Sequence, residues 1–230
     1  MKYEYLLFNL IVISGPVIFG SMKRFYFLDK AKSALISLSI PLIPFLIWDA
    51  AVTGRHWFFS SDYTLGFRIL NLPFEEIMFF ISVPYACLFT WEMINRFNTD
   101  KEIENLRILY ILPIPLFAAA VYFFTINKEY TALVMLSSGI MFLVDKFLRT
   151  GLFLSKNFYY YLLLVTVFTI LFNGYLTWRP VVTYDPIYQL NFRIWTVPIE
   201  DFLFGFSLLF IATSIFIKLE KGKNERSFKK

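Results

Sequence analysis

Four carboxyls occur as two adjacent pairs, each straight behind a proline at the head of an apolar run: Glu75 and Glu76 in "PFEEIMFF", Glu200 and Asp201 in "PIEDFLFG". One reading is architectural. Proline suits the first position of a helix because it lacks an N–H that would be unpaired there, and acids in a first turn complement the helix dipole. The other reading is chemical. An ionisable group costs about 2.5–3.5 kcal/mol at mid-span on insertion scales and less near the ends, so its default interpretation inside an apolar segment is functional. Two adjacent carboxyls in low dielectric do not both ionise readily, because burial and like charge each disfavour the charged form. A carboxyl kept neutral is a general acid, and its charged neighbour is a matching base or an electrostatic stabiliser.

The two pairs are one repeat seen twice. Phe67, Arg68 and Ile69 recur as Phe192, Arg193 and Ile194, and Pro73, Glu75 and Glu76 recur as Pro198, Glu200 and Asp201, all displaced by 125 positions. With one inserted residue, "WDAAVTGR" from Trp48 aligns with "FNGYLTWR" from Phe172, which matches Asp49 to Asn173. Asp49 is placed to join the first acidic site, and the amide at Asn173 makes the two sites electrostatically unequal. Arg68 and Arg193 precede the prolines by five residues; they either hold a carboxylate ionised or anchor the chain at the membrane interface. Trp48, Trp57, Phe58, Phe59, Tyr63, Phe74, Trp178, Tyr184, Tyr188 and Trp195 fall on the same side as the acids. Singly, such rings are ordinary packing and interface residues. Together, with Trp48, Tyr63, Phe74, Tyr188 and Trp195 as candidate walls, they offer faces that stabilise a cation by up to about 2 kcal/mol when dry. Acid plus aromatic walls suits proton-initiated carbocation chemistry on an apolar substrate.

The elements that position these residues are membrane spans. Of 230 residues 58% are hydrophobic and 21% aromatic, with mean hydropathy +0.60, against about 45–50% apolar in soluble domains. Seven stretches are long and apolar enough to cross, near residues 3–20, 33–52, 73–95, 108–125, 130–148, 159–177 and 198–217. The first is read as a span and not a cleaved signal, since it holds Glu4 and lacks a small-residue cleavage pattern. The fold class expected is all-α and integral to the membrane: residues 1–100 form a three-span unit, 101–127 a linking span, and 128–230 a second unit with a basic tail. Equivalent helices are four spans apart, so the repeats run parallel about an axis along the membrane normal. With alternating loops, 16 Lys and Arg fall on one side and 6 on the other. The positive-inside rule then puts the amino terminus outside, the carboxyl terminus in the cytoplasm and both acidic motifs on the outer side of the membrane.

Other chemistries find little support. Cys87 and His56 are the only cysteine and histidine, which removes an internal disulfide and a Cys/His metal cluster. No G-x-G-x-x-G or Walker A run marks a nucleotide, no D-D-x-x-D run marks a diphosphate–magnesium site, and the net charge of +5 lies in short loops and tail, which fits a membrane surface and not a nucleic acid. Glu92, Asp145 and Glu220, at the opposite ends of spans, are expected to be solvated or salt-bridged.

Duplicated P-x-E-[ED] motifs, "PFEE" and "PIED", in two parallel three-span units joined by an extra span resemble the membrane-integral, non-flavin lycopene cyclases. That family is known as bacterial heterodimers, as fused single chains and as the cyclase domain of fungal bifunctional phytoene synthase–lycopene cyclases. The resemblance implies an isomerase that turns the acyclic ends of lycopene into β-ionone rings, as in β-carotene biosynthesis. It implies no cofactor and no metal, a lipid-dissolved carotenoid as substrate, and other carotenoid-pathway enzymes as partners. Carried over by residue, it makes Glu75 and Glu200 the essential acids, with Glu76 and Asp201 as proton partners. The alternatives are another carbocation enzyme on a carotenoid or polyprenyl substrate, an ε-cyclase or a hydratase, and a transporter or lipid-binding protein with a proton-carrying carboxylate pair.

Overall fold

The computed structural model describes residues 2–227. Lys229 and Lys230, part of the basic tail, lie outside the described residues. Helices α1 (Glu4–Ser21), α2 (Ala31–Val52) and α3 (Phe74–Phe97) form the first unit, and α5 (Glu129–Leu148), α6 (Lys156–Trp178) and α7 (Ile199–Ser227) the second. Between them, α4 (Pro113–Thr125) is extended by a 3-10 stretch over Glu104–Ile111, so that all seven segments among the described residues are long and apolar enough to span a bilayer. The seven expected spans are all present, in an all-α fold with two repeated units.

Equivalent helices pack in equivalent ways. α1 lies along α3 and α5 along α7, while α2 packs on α7 and α6 on α3, so each unit lends its second helix to the other. Close backbone approach is bought with small residues, as is usual between membrane helices: a Cβ on Gly139 of α5 would meet Cε1 of Phe117 in α4 at 2.4 Å. The main core is aromatic and lies toward the end of the bundle that carries the α1–α2 and α5–α6 connections, with Phe158 between Phe153 at 5.0 Å and Phe210 at 4.9 Å. At that end Lys30 pairs with Glu92 at 2.6 Å and approaches Glu220 at 3.9 Å, as expected. Asp145 differs: it is fully buried and accepts hydrogen bonds from Tyr110, Thr150 and the Leu152 amide, because the left-handed Arg149 and Gly151 turn wraps its amides around that carboxyl.

At the opposite end the α2–α3 and α6–α7 connections hold three small ribbons. Strands β2 (Arg68–Ile69) and β3 (Leu72–Pro73) form one hairpin, and β5 (Arg193–Ile194) and β6 (Val197–Pro198) its repeat. Strand β1 (Trp57–Phe59) pairs antiparallel with β4 (Val182–Tyr184), in the register Trp57 to Tyr184, Phe58 to Thr183 and Phe59 to Val182. Since 57 + 125 = 182 and 59 + 125 = 184, this ribbon joins a segment to its own repeat across a pseudo-two-fold axis at Phe58 and Thr183.

Candidate active site

The hairpins set the acids. Pro73 and Pro198 close their strands one residue before the helix and not in its first position, opposite Arg68 and Arg193. The next amides turn back, Phe74 N to Phe67 O at 3.0 Å and Ile199 N to Phe192 O at 2.9 Å. The acids therefore occupy the second and third helical positions. Neighbours on a helix differ in direction by about 100°, and the two members of each pair face different surroundings.

Glu75 and Glu200 face the loops. Oε1 of Glu75 accepts from the Leu65 amide at 2.6 Å, and Oε1 of Glu200 accepts from the Leu190 amide at 2.7 Å and the Thr131 hydroxyl at 2.7 Å. Leu65 and Leu190 are themselves 125 positions apart. Both carboxyls are buried, and neither lines the cavity between the units.

Glu76 and Asp201 do line it, one from each repeat, together with Asp49 of α2 and Asn173 of α6. The cavity measures about 110 Å³ and its walls are otherwise largely rings, among them Trp57, Phe79, Phe80 and Phe204. Tyr5 donates to Oε2 of Glu76. Its repeat, Tyr130, donates to Oδ1 of Asp201 at 2.7 Å, and Tyr184 donates to Oδ2 at 2.6 Å. Burial and the neighbouring Asp201 charge push the Tyr184 phenol well above its ordinary value, so it keeps its proton and stays a donor. Asp49 accepts on Oδ1 from Trp57 Nε1 at 2.7 Å and Thr53 Oγ1 at 3.3 Å.

Several expected participants sit elsewhere. Arg68 and Arg193 are exposed and donate to the carbonyls of Asn71 at 2.9 Å and Thr196 at 2.8 Å within their own hairpins; neither forms an ion pair with a motif acid among the described residues, although Arg193 lies over the ring of Tyr184 at 5.6 Å, the phenol that donates to Asp201. None of the five rings picked as walls lines the cavity. Trp195 stands 60% exposed at the hairpin tip against Gly174, Phe74 packs on Phe67, and Tyr63 lies under the Arg179 guanidinium at 5.2 Å. Trp48 and Tyr188 instead enclose His56, with Tyr188 stacked at 4.1 Å. The rings that replace them as walls and donors carried a usable signal, for Tyr5 and Tyr130, like Phe79 and Phe204, are related by the same displacement of 125.

Two polar clusters brace this end. Arg179 grips Glu4 through Nε at 2.7 Å and Nη2 at 3.0 Å, joined by Tyr175 at 2.7 Å, a forked contact that ties the start of α1 to the end of α6. Buried His56 shares Glu129 with Arg55, at 3.1 Å and 2.6 Å. Burial first, then the Arg55 charge, lower the imidazole below its ordinary value, against the pull of Glu129. The lowered value favours the neutral ring, and the tautomer with its proton on Nε2 is the one that can donate to Glu129.

The family model described as lycopene cyclase matches residues 2–94 and again residues 127–219, two segments offset by the same 125 positions. No curated protein and no solved structure shows a significant match to the chain. With both units covered, and with carboxyls from both meeting in an aromatic-walled cavity within seven membrane-spanning helices, the chain belongs to the lycopene cyclase family.

Proposed function

We propose that this protein is a lycopene β-cyclase, which isomerises the acyclic ends of lycopene to β-ionone rings without change of redox state. The observation that carries this reading beyond the family is the convergence of Glu76 and Asp201 on one apolar cavity. A carboxylic acid there protonates the terminal double bond, the internal double bond closes on the tertiary cation, and a carboxylate takes up the ring proton. Trp57, Phe79, Phe80 and Phe204 line the cavity, and a ring face turned to the cation is worth up to about 2 kcal/mol in a dry pocket. Which ring proton leaves decides between β and ε rings, so the identity of the product is read from pigment analysis.

Glu75 and Glu200 are essential in a positioning sense. Each fastens the loop before its hairpin through a backbone amide, and so fixes the start of the helix that presents Glu76 or Asp201. The orientation follows the charge bias: amino terminus outside, carboxyl terminus cytoplasmic, acids at the outer side of a bacterial inner membrane.

The test is expression in bacteria that accumulate lycopene, with extraction and chromatography. β-Carotene is the expected product. Unchanged lycopene with the protein shown to be inserted rejects the reading, and ε-ringed or hydroxylated product replaces it with one of the alternatives. In the same strain Glu76→Gln and Asp201→Asn are expected to reduce conversion by at least 100-fold, the scale of general acid–base catalysis.

A further inference from the structure

We infer that Asp49 is the proton donor of this cavity and Asp201 the base, so that the duplicated scaffold holds one asymmetric reaction centre. The inference rests on the cyclase reading above and assigns roles within it.

Hydrogen bonding distinguishes the carboxyls. Asp201 accepts on both oxygens, from Tyr130 at 2.7 Å and Tyr184 at 2.6 Å, which is how a carboxylate is held. Two phenol donors favour the charged form. Asp49 is held differently. Its Oδ1 accepts from Trp57 Nε1 at 2.7 Å, while Oδ2 is buried and has no partner. A carboxyl that accepts on one oxygen only is arranged as a carbonyl and a hydroxyl, with the hydroxyl free to donate. Glu75 and Glu200 also carry a buried oxygen without a partner but do not line the cavity. Glu76 does line it and accepts on one oxygen, from Tyr5, but its equivalent in the other unit is the base Asp201, so Asp49 is the cavity carboxyl without an acidic counterpart. A proton on Oδ2 would find no acceptor in the protein, and on this inference the π electrons of an alkene seated against Asp49 in the cavity supply one.

The repeat sharpens the point. The position equivalent to Asp49 is Asn173, which lines the same cavity from α6. A carboxamide supplies no acidic proton, so the second unit has no counterpart of this donor. Asp49 is also fixed: the Trp57 that binds it belongs to the ribbon in which Trp57 pairs with Tyr184, so donor and base are positioned by the same short β1–β4 ribbon.

The step balances. The Oδ2–H bond of Asp49 breaks as a C–H bond forms at the less substituted carbon of the terminal alkene, the adjacent tertiary carbon becomes cationic, and the internal alkene pair makes the ring C–C bond, which moves the positive charge to a ring carbon. The ring proton passes to Asp201, leaving Asp49 ionised and Asp201 protonated. Asp201 gives its proton up to solvent and Asp49 takes one from solvent, which resets the site with no oxidant or reductant.

The experiment uses membranes of the full chain with lycopene in D2O. The wild type is expected to add one deuterium per ring formed. Asp49→Asn keeps the side-chain volume and an oxygen for Trp57; it is expected to cyclise at least 100-fold more slowly and to leave recovered lycopene free of deuterium, because no cation forms. Asp201→Asn is expected to cyclise as slowly yet to return lycopene that has gained deuterium, because the cation forms and reverts. Asp49→Glu, which keeps an acid, recovers part of the activity. Cyclisation by Asp49→Asn at more than a tenth of the wild-type rate, deuterium in its recovered lycopene, or equal loss in the Asn and Glu variants overturns the assignment. Failure of the wild type to cyclise lycopene defeats the proposed function, whereas activity of both wild type and Asp49→Asn defeats only the role of Asp49.

Discussion

A single step along a helix separates two jobs in each acidic pair. The first acid, Glu75 or Glu200, ties down a loop amide, and the second, Glu76 or Asp201, opens on the cavity. The carboxyls were legible in the sequence because charge in an apolar run carries a cost that demands a reason. Their division of labour was not, since a turn of about 100° per residue decides it only once the neighbouring α1 and α5 are packed in place. His56 gives a prediction at the same scale. Its folded value lies below the unfolded one of about 6.5, so as pH falls the unfolded chain takes up the proton first. The stability contributed by the neutral ring is complete above about pH 6.5 and is lost as pH falls through the folded value. Melting in detergent is expected to drop by several degrees between pH 7.5 and 5 in the wild type, and by less in His56→Gln, where the amide still donates to Glu129; an equal drop in the two rejects His56 as the group responsible.

Helices were readable and hairpins were not. About 20 apolar residues in a row announce a span, and the seven observed segments fall within a few residues of those expected, apart from the longer runs at Leu28–Val52, Glu104–Thr125 and Ile199–Lys223. The two-residue ribbons that aim the acids carry no such signal. Their turns place Leu70, Asn71 and Trp195 at positive φ, and of these only Asn71 is a residue type that advertises a left-handed turn. Without the hairpins, the sequence directs rings such as Trp195 and Phe74 to a pocket they do not line. Among the helix contacts, the α4–α5 seam makes the clearest demand on sequence. A methyl group on Gly139 would fall 2.4 Å from the Phe117 ring, and overpacking of this kind costs about 1–3 kcal/mol. Gly139→Ala is expected to lower the melting temperature in detergent while leaving the product unchanged, and Gly139→Ala with Phe117→Leu to recover most of the loss; an unshifted melting temperature in the single variant removes the constraint.

At the scale of the molecule, the repeat could be read from spacing alone, but the way the units interlock could not, because α2 on α7, α6 on α3 and β1 on β4 are contacts between segments far apart in the chain. Each unit supplies walls that the other lacks. Cutting the chain between residues 100 and 101 leaves those contacts in place, and Asp100 and Lys101 on either side of the cut still have their partners at Ser155, Lys156 and Asn157 to hold the ends. Residues 1–100 and 101–230, produced together, are expected to restore at least a tenth of the intact activity in lycopene-accumulating cells, and each alone to show none; activity in either fragment alone would mean that the cavity does not need both units. The shared cavity also bears on how a substrate with two like tips is processed. Glu76 and Asp201 are committed to the same cavity, so the second tip has to come to the place the first has vacated. Under the proposed reaction the carotene with one finished ring is released into the bilayer and must re-enter end for end, in competition with fresh lycopene. Such catalysis is distributive: the ratio of one-ringed to two-ringed product is set by enzyme loading and time, and not by the cavity alone.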